Sequence, residues 1–211
     1  MPNIVEKMTL NYSPNFDSKK RKKSKIKYLI FHYTGMKSDK SAIQKLTNEK
    51  SKVSCHYYID QKGQIIKMVP DLYVAWHAGK SFWKNDKNLN KSSIGIEISN
   101  PGHDNNYKKF SKKQIVSLIK LSKQLIKYYS IKKQNILGHS DIAPLRKKDP
   151  GEHFPWYFLY KKNVGIWHKY KKNNKDQFKI LKSKKLEKNF FFNLKKFGYS
   201  ILFKNYSEKK K

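Results

Sequence analysis

The chain has 211 residues, a single cysteine and a formal net charge of +33. That length suits one domain of ordinary size with a short appendage, and the lone Cys55 excludes an internal disulfide. The charge invites a nucleic-acid reading, but Arg21 and Arg146 are the only arginines, and the planar arginine fork is what reads base edges and phosphates.

The lysine excess goes with abundant Asn, Ile, Tyr and Phe, as AT-rich coding would produce, so charge alone does not name a partner. A basic surface of this kind still attracts polyanions, anionic wall polymers among them. The N-terminus has no basic segment followed by an apolar one and no small-residue cleavage site, which makes a cytoplasmic location the default expectation and leaves a periplasmic one open. No run of ~18 apolar residues occurs, so no membrane span is expected.

Residues 1–25 read as an extended lead-in ending in the basic run Lys19-Lys20-Arg21-Lys22-Lys23. Ile26–Tyr33 is an apolar stretch rich in β-formers and predicts a buried strand. A short helix is expected around Lys40–Glu49. Cys55–Asp60 and Ile65–Val69 then read as a hairpin turning at Gly63. Ser93–Ser99 alternates, with Ile94, Ile96 and Ile98 on one face and Gly95, Glu97 and Ser99 on the other. The clearest helix starts at Ser111, where Ser111 and Gln114 form a capping box ahead of apolar residues at helical spacing. Alternating strands and helices predict an α/β fold, a mixed central sheet flanked by helices. Residues 169–175 read as a linker, and the tail beyond, with Phe190-Phe191-Phe192 and Phe197-Gly198-Tyr199, is too apolar for simple disorder.

Of seven histidines, two stand in telling places. His32 ends the best strand, and His139 lies in the turn-rich Gly138-His139-Ser140-Asp141, ten residues before Asp149. Two imidazoles and a carboxylate are a three-ligand set that leaves a fourth metal position open. Spacing alone does not bring His32 to His139, so the residues by themselves reach only a possible metal site.

The segments FHYTG around His32, WHAG at 76–79, SIGIEISN around Glu97, GHSDIAP around His139 and RKKDPG before FPW together resemble the zinc-dependent N-acetylmuramoyl-L-alanine amidases. That family is related to T7 lysozyme and the peptidoglycan recognition proteins, and its bacterial anhydromuramyl-peptide branch is the nearest in flavour. The likeness runs from about residue 10 to residue 160 with the motifs in order, and even Ser13-Pro14-Asn15-Phe16-Asp17 resembles the lead-in of that branch. It implies one zinc held by His32, His139 and Asp149, with Glu97 as the catalytic general base and Lys147 facing the developing oxyanion. It also places His77 and Trp83 along the substrate groove, with core packing the alternative for Trp83. Arg146, beside Lys147 in a chain built on lysine, suits a substrate carboxylate. His56 is expected near the site without a chemical role, and His103, His153 and His168 are not expected to be ligands.

The implied activity is hydrolysis of the lactyl–L-alanine amide of peptidoglycan or anhydromuropeptides, in wall degradation or wall recycling, by a monomer with no specific nucleic-acid partner. Residues 1–168 form the expected catalytic domain and 169–211 a linker with a reduced helical module. That module resembles a truncated peptidoglycan-binding domain or simply covers an apolar patch. A non-catalytic peptidoglycan-binding protein is the alternative function, and a nucleic-acid binder a third, carried by charge alone.

Overall fold

The computed structural model describes residues 8–168 and 184–199. Its strands are β1 (Met8–Leu10), β2 (Phe16–Asp17), β3 (Tyr28–Tyr33), β4 (Tyr57–Ile59), β5 (Ile65–Lys67), β6 (Val74–Ala75), β7 (Phe82–Trp83), β8 (Asp86–Lys87), β9 (Ser93–Ile98) and β10 (Ile136–Gly138). The helices are α1 (Asp39–Thr47), α2 (Lys112–Tyr129), α3 (His139–Ile142), α4 (Trp156–Lys161) and α5 (Lys184–Phe197). Six strands form one mixed sheet in the order β1-β5-β4-β9-β3-β10. β4, β9, β3 and β10 run parallel to one another, β5 is antiparallel to β4, and β1 is parallel to β5. The expected α/β architecture of a mixed sheet flanked by helices is the one observed, with the hairpin turn at Gly63 (φ +82°) between β4 and β5.

The alternation of β9 sets the two faces. Ile94, Ile96 and Ile98 join Leu29 and Phe31 of β3 in the main core, against Ile115, Leu118, Leu121 and Leu125 of α2. α2 begins as read: Ser111 accepts from the Gln114 backbone N–H at 3.2 Å while the Gln114 side chain accepts from the Ser111 N–H at 2.9 Å. The opposite sheet face carries two smaller clusters. Tyr28, Ile30, Trp83, Leu137 and Ile142 form one, and Ala42 and Leu46 of α1 pack on Tyr58 and Met68 in the other. A groove opens beside the second, along Ala42, Leu46 and Val53.

The lead-in is stitched down rather than loose. Arg21 donates to the carbonyl oxygens of Asp71 and Asn90 at 2.8 and 2.9 Å, and the Asn15 amide donates to those of Asn48 and Val53 at 2.9 and 3.0 Å. Among the described residues no helix is long and apolar enough to cross a membrane. The stretch read as a linker lies outside the described residues. α5 packs its end on the body: Trp83 meets the rings of Phe197 and Tyr199 at centroid distances of 5.7 and 4.8 Å.

Candidate metal centre

The parallel register assembles the site. β3 and β9 pair with His32 opposite Glu97, and β4 brings Tyr58 into the same row, so all three side chains leave the same sheet face. β10 pairs Gly138 with Phe31, which places the next residue, His139, at the level of His32 as it opens α3. His32, Glu97 and His139 therefore emerge at the carboxyl ends of three neighbouring parallel strands, the usual place for a site in such sheets. Asp149 arrives on a returning loop, whose carbonyl accepts from the Ser140 N–H at 2.8 Å. A Cβ on Gly138 would lie 2.7 Å from Pro150 Cδ, so only glycine lets that loop approach.

Nδ1 of His32 and Nδ1 of His139 are 2.9 Å apart, and each is 3.1 Å from Oδ2 of Asp149. All three residues are buried, and they are the one metal-competent cluster found among the described residues. His139 Nε2 is 3.0 Å from the Ala78 carbonyl oxygen, which can only accept, so the His139 proton sits on Nε2 and its Nδ1 presents a lone pair. A bare imidazole nitrogen and a carboxylate oxygen facing each other at this range repel unless a cation or a shared proton lies between them. Ligands at roughly 2.0–2.1 Å around a tetrahedral ion stand about 3.3 Å apart, close to the spacing seen. The donor set fits a metal ion of the first transition row.

Glu97 stands beside this cluster, half-buried, and its Oε2 is buried without a hydrogen-bond partner. Burial and the negative charge of Asp149 push its carboxyl well above the ordinary range, while Lys147 and Lys45 pull it back. Burial and the neighbouring His139 lower His32 to about 4, against the opposing pull of Asp149, so its ring is neutral near pH 7. A cavity of about 430 Å³ runs over the cluster, bordered by Tyr33, Lys45, Trp76, Glu97, His103 and Lys147.

The remaining expected site residues divide. Lys147 borders the cavity with Glu97, His139 and Asp149. Arg146 borders it too, but Nη2 donates to the carbonyl oxygens of Ala78 and Lys80, both at 2.9 Å, and so clamps the loop after Trp76. Trp83 does not line the groove: it is fully buried beneath Phe197 and Tyr199, because the sheet face it occupies is covered by the end of α5. His77 borders the cavity but is 8% exposed, its ring turned inward to His32 Nε2 at 3.0 Å. The available signal was Gly95, a glycine inside a strand, which marks a close approach: a Cβ there would collide with the His77 ring. His56 is buried as a structural ring, accepting from the Gly95 N–H at 3.0 Å. His103 borders the groove and pairs with the Tyr33 hydroxyl at 2.8 Å. Asp141, given no role by the sequence, accepts from the Gly138 N–H at 2.7 Å and from the Tyr199 hydroxyl at 2.6 Å.

The family model described as N-acetylmuramoyl-L-alanine amidase matches residues 22–152. The chain is 40% identical over 155 residues to the N-acetylmuramoyl-L-alanine amidase AmiD of Escherichia coli (strain K12), an alignment covering 68% of this chain and 55% of that protein. It is 39% identical over 106 residues to the 1,6-anhydro-N-acetylmuramyl-L-alanine amidase AmpD of Haemophilus influenzae, covering 50% of this chain and 55% of that one. The chain thus spans about half the length of these curated relatives. Its fold matches E. coli AmiD in complex with the substrate anhydro-N-acetylmuramic acid-L-Ala-D-gamma-Glu-L-Lys with a TM-score of 0.71 and 33% identity, covering 84% of this chain and 73% of that chain.

Proposed function

Because the chain belongs to the N-acetylmuramoyl-L-alanine amidase family, we propose that it hydrolyses the amide between the muramyl lactyl group and L-alanine, with one zinc ion held by His32, His139 and Asp149. The observation that carries this reading is the convergence of two imidazole nitrogens and a carboxylate oxygen within 3.1 Å, with an unpartnered glutamate in the next strand at the same level. When bound, zinc lowers the pKa of a coordinated water to about 7 and polarises a carbonyl.

The chain's own residues supply the rest. Glu97, with a free lone pair and a carboxyl held high, takes the proton of the attacking water and passes it to the amine that leaves. Lys147 lines the same cavity, where its ammonium faces the oxyanion that develops on the scissile carbonyl and is stabilised more than the planar amide. Arg146 acts by holding the 78–80 loop against His139. Residues 1–168 are the catalytic domain on this reading, and 184–199 a cover on its second core cluster. An unpartnered Glu97 oxygen at the level of the three-ligand cluster suits a base acting there, which favours catalysis over the binding-only reading.

Because one named relative is a 1,6-anhydro-N-acetylmuramyl-L-alanine amidase and the other is solved with an anhydro-N-acetylmuramic acid–peptide substrate, a soluble anhydromuramyl tripeptide is the first substrate to try. Mass spectrometry of products from that tripeptide and from intact sacculi, with and without a chelator, tests the proposal. Chelator-sensitive release of free peptide is the expected result. Zinc-loaded protein that releases peptide from neither substrate would leave binding as the function.

A further inference from the structure

Nδ1 of His77 lies 3.0 Å from Nε2 of His32. Two neutral imidazole nitrogens at that distance share one proton, and its owner decides which nitrogen of His32 keeps a lone pair. Ser93 settles the direction. Its hydroxyl is 2.5 Å from the Leu89 carbonyl oxygen, which can only accept, so the single hydroxyl proton is committed there. Ser93 Oγ then offers only a lone pair to His77 Nε2, 3.2 Å away, and that nitrogen carries the His77 proton. His77 Nδ1 is left as an acceptor, His32 donates Nε2–H to it, and His32 Nδ1 presents its lone pair toward His139 and Asp149.

The surroundings hold His77 in this pose. Its ring stands edge-on between His32 and His56, at centroid distances of 5.1 and 5.6 Å, and rests on Gly95, where any Cβ would collide with it. The Asn90 side-chain oxygen accepts from the backbone N–H groups of His77 and Ala78 at 3.1 and 2.7 Å, fixing the chain from which the ring projects. His139 is oriented by a different device, the Ala78 carbonyl at 3.0 Å, so residues 77 and 78 together serve the far nitrogens of both histidines.

We propose that His77 is a positioning residue: through the line Leu89 carbonyl–Ser93–His77 it fixes His32 in the tautomer that can bind a metal through Nδ1. This rests on the reading of His32, His139 and Asp149 as the zinc set. Outer partners of metal-bound histidines are worth about 10–100-fold in metal affinity.

The test uses the full chain and two readouts besides activity. The zinc dissociation constant is measured by chelator competition for the wild type, His77→Leu, His77→Asn and Ser93→Ala, with melting curves of the metal-free proteins as the folding control. Two-bond ¹H–¹⁵N correlation spectra of the metal-free protein report whether Nε2 of His32 carries a proton. The expected results are a proton on Nε2 of His32 in the wild type and zinc binding about 10–100-fold weaker in His77→Leu. Recovery of most of that affinity is expected in His77→Asn, whose amide oxygen stands where Nδ1 stood. Ser93→Ala, a milder change at the far end of the line, should fall between. A folded His77→Leu that binds zinc as tightly as the wild type, or a wild-type His32 with no proton on Nε2, overturns the proposal. A wild type that takes up no zinc sinks the zinc reading by itself. The tautomer spectra then decide the relay: Nε2–H lost in His77→Leu upholds it, and no change between the two proteins removes it.

Discussion

Single side chains at the site have separable duties, and each predicts a different loss. His32→Ala or His139→Ala removes one of three ligands, so stoichiometric zinc should disappear together with turnover; metal analysis of the purified variants checks this. Glu97→Gln keeps the shape of the groove and removes only the base. It should retain zinc while the rate falls by about 10²–10⁴, and a rate near wild type would end the assignment. Lys147→Ala should cost about 10²–10³ in rate with the metal still bound. His56 gives a pH prediction away from the metal. Burial and the positive charge of Arg21 lower its folded-state value from 6.5 to about 3. The unfolded chain therefore takes up a proton near pH 6.5 that the folded protein refuses. Its contribution to stability is full above pH 6.5, falls as the pH drops below it, and stops falling near pH 3. By about pH 5 this one ring costs roughly 2 kcal/mol, and His32 adds to it with the same sign. Denaturant unfolding of the metal-free protein at about pH 7.5 and about pH 5 should show the loss, and His56→Asn, which keeps an acceptor for the Gly95 N–H, should show a smaller one.

The placing of strands turns these residues into a site. β3, β9 and β10 end together because their parallel register aligns His32 with Glu97 and sets Gly138 beside Phe31. Gly138→Ala would drive a methyl into Pro150, one residue from Asp149, and should weaken zinc binding while leaving α2 and the sheet intact by circular dichroism. Ser111→Ala is the contrasting change, far from the metal. It removes one half of the capping box and should cost about 1 kcal/mol in denaturant unfolding with zinc affinity unchanged. Much at this scale was legible in the chain. The alternation of Ile94, Ile96 and Ile98 located the core face of β9 and so turned Glu97 to the other side, and the Ser111–Gln114 pair located the start of α2. β10 was not legible, since three residues ending in glycine carry no period. The meeting of His32 with His139 was beyond reach of spacing, because strand order is a long-range property and the two are 107 positions apart. Motif order supplied that link, and the same likeness placed His77 and Trp83 on the groove without saying which way their rings turn. Ring direction depends on what lies behind the strand: Gly95 draws His77 inward, and α5 covers Trp83.

For the molecule as a whole, the question is how the two described parts, 8–168 and 184–199, are joined in function. Tyr199 reaches back from the end of α5 and donates its hydroxyl to Asp141 at 2.6 Å, while the Lys84 N–H donates to the Gly198 carbonyl at 2.7 Å. Asp141 is not idle there. Its other oxygen accepts from the Gly138 N–H at the head of α3, the turn that presents His139. The tail and the metal centre thus share a half-buried carboxylate with both oxygens partnered, and its partial burial raises its pKa. Tyr199→Phe keeps the ring against Trp83 and removes only the hydroxyl, leaving Oδ1 of the half-buried Asp141 without its donor. That should cost about 1–3 kcal/mol in denaturant unfolding. If the tail is a cover integral to the catalytic body, the variant still unfolds in one transition that is shifted as a whole, and Trp fluorescence and far-ultraviolet circular dichroism report the same midpoint. If it is an independent module, the global midpoint stays at the wild-type value and only the tail's own contact with Trp83 loosens. The first outcome is expected, because the Trp83 ring that Tyr199 touches is itself part of the core cluster that holds Leu137 and Ile142 on either side of His139.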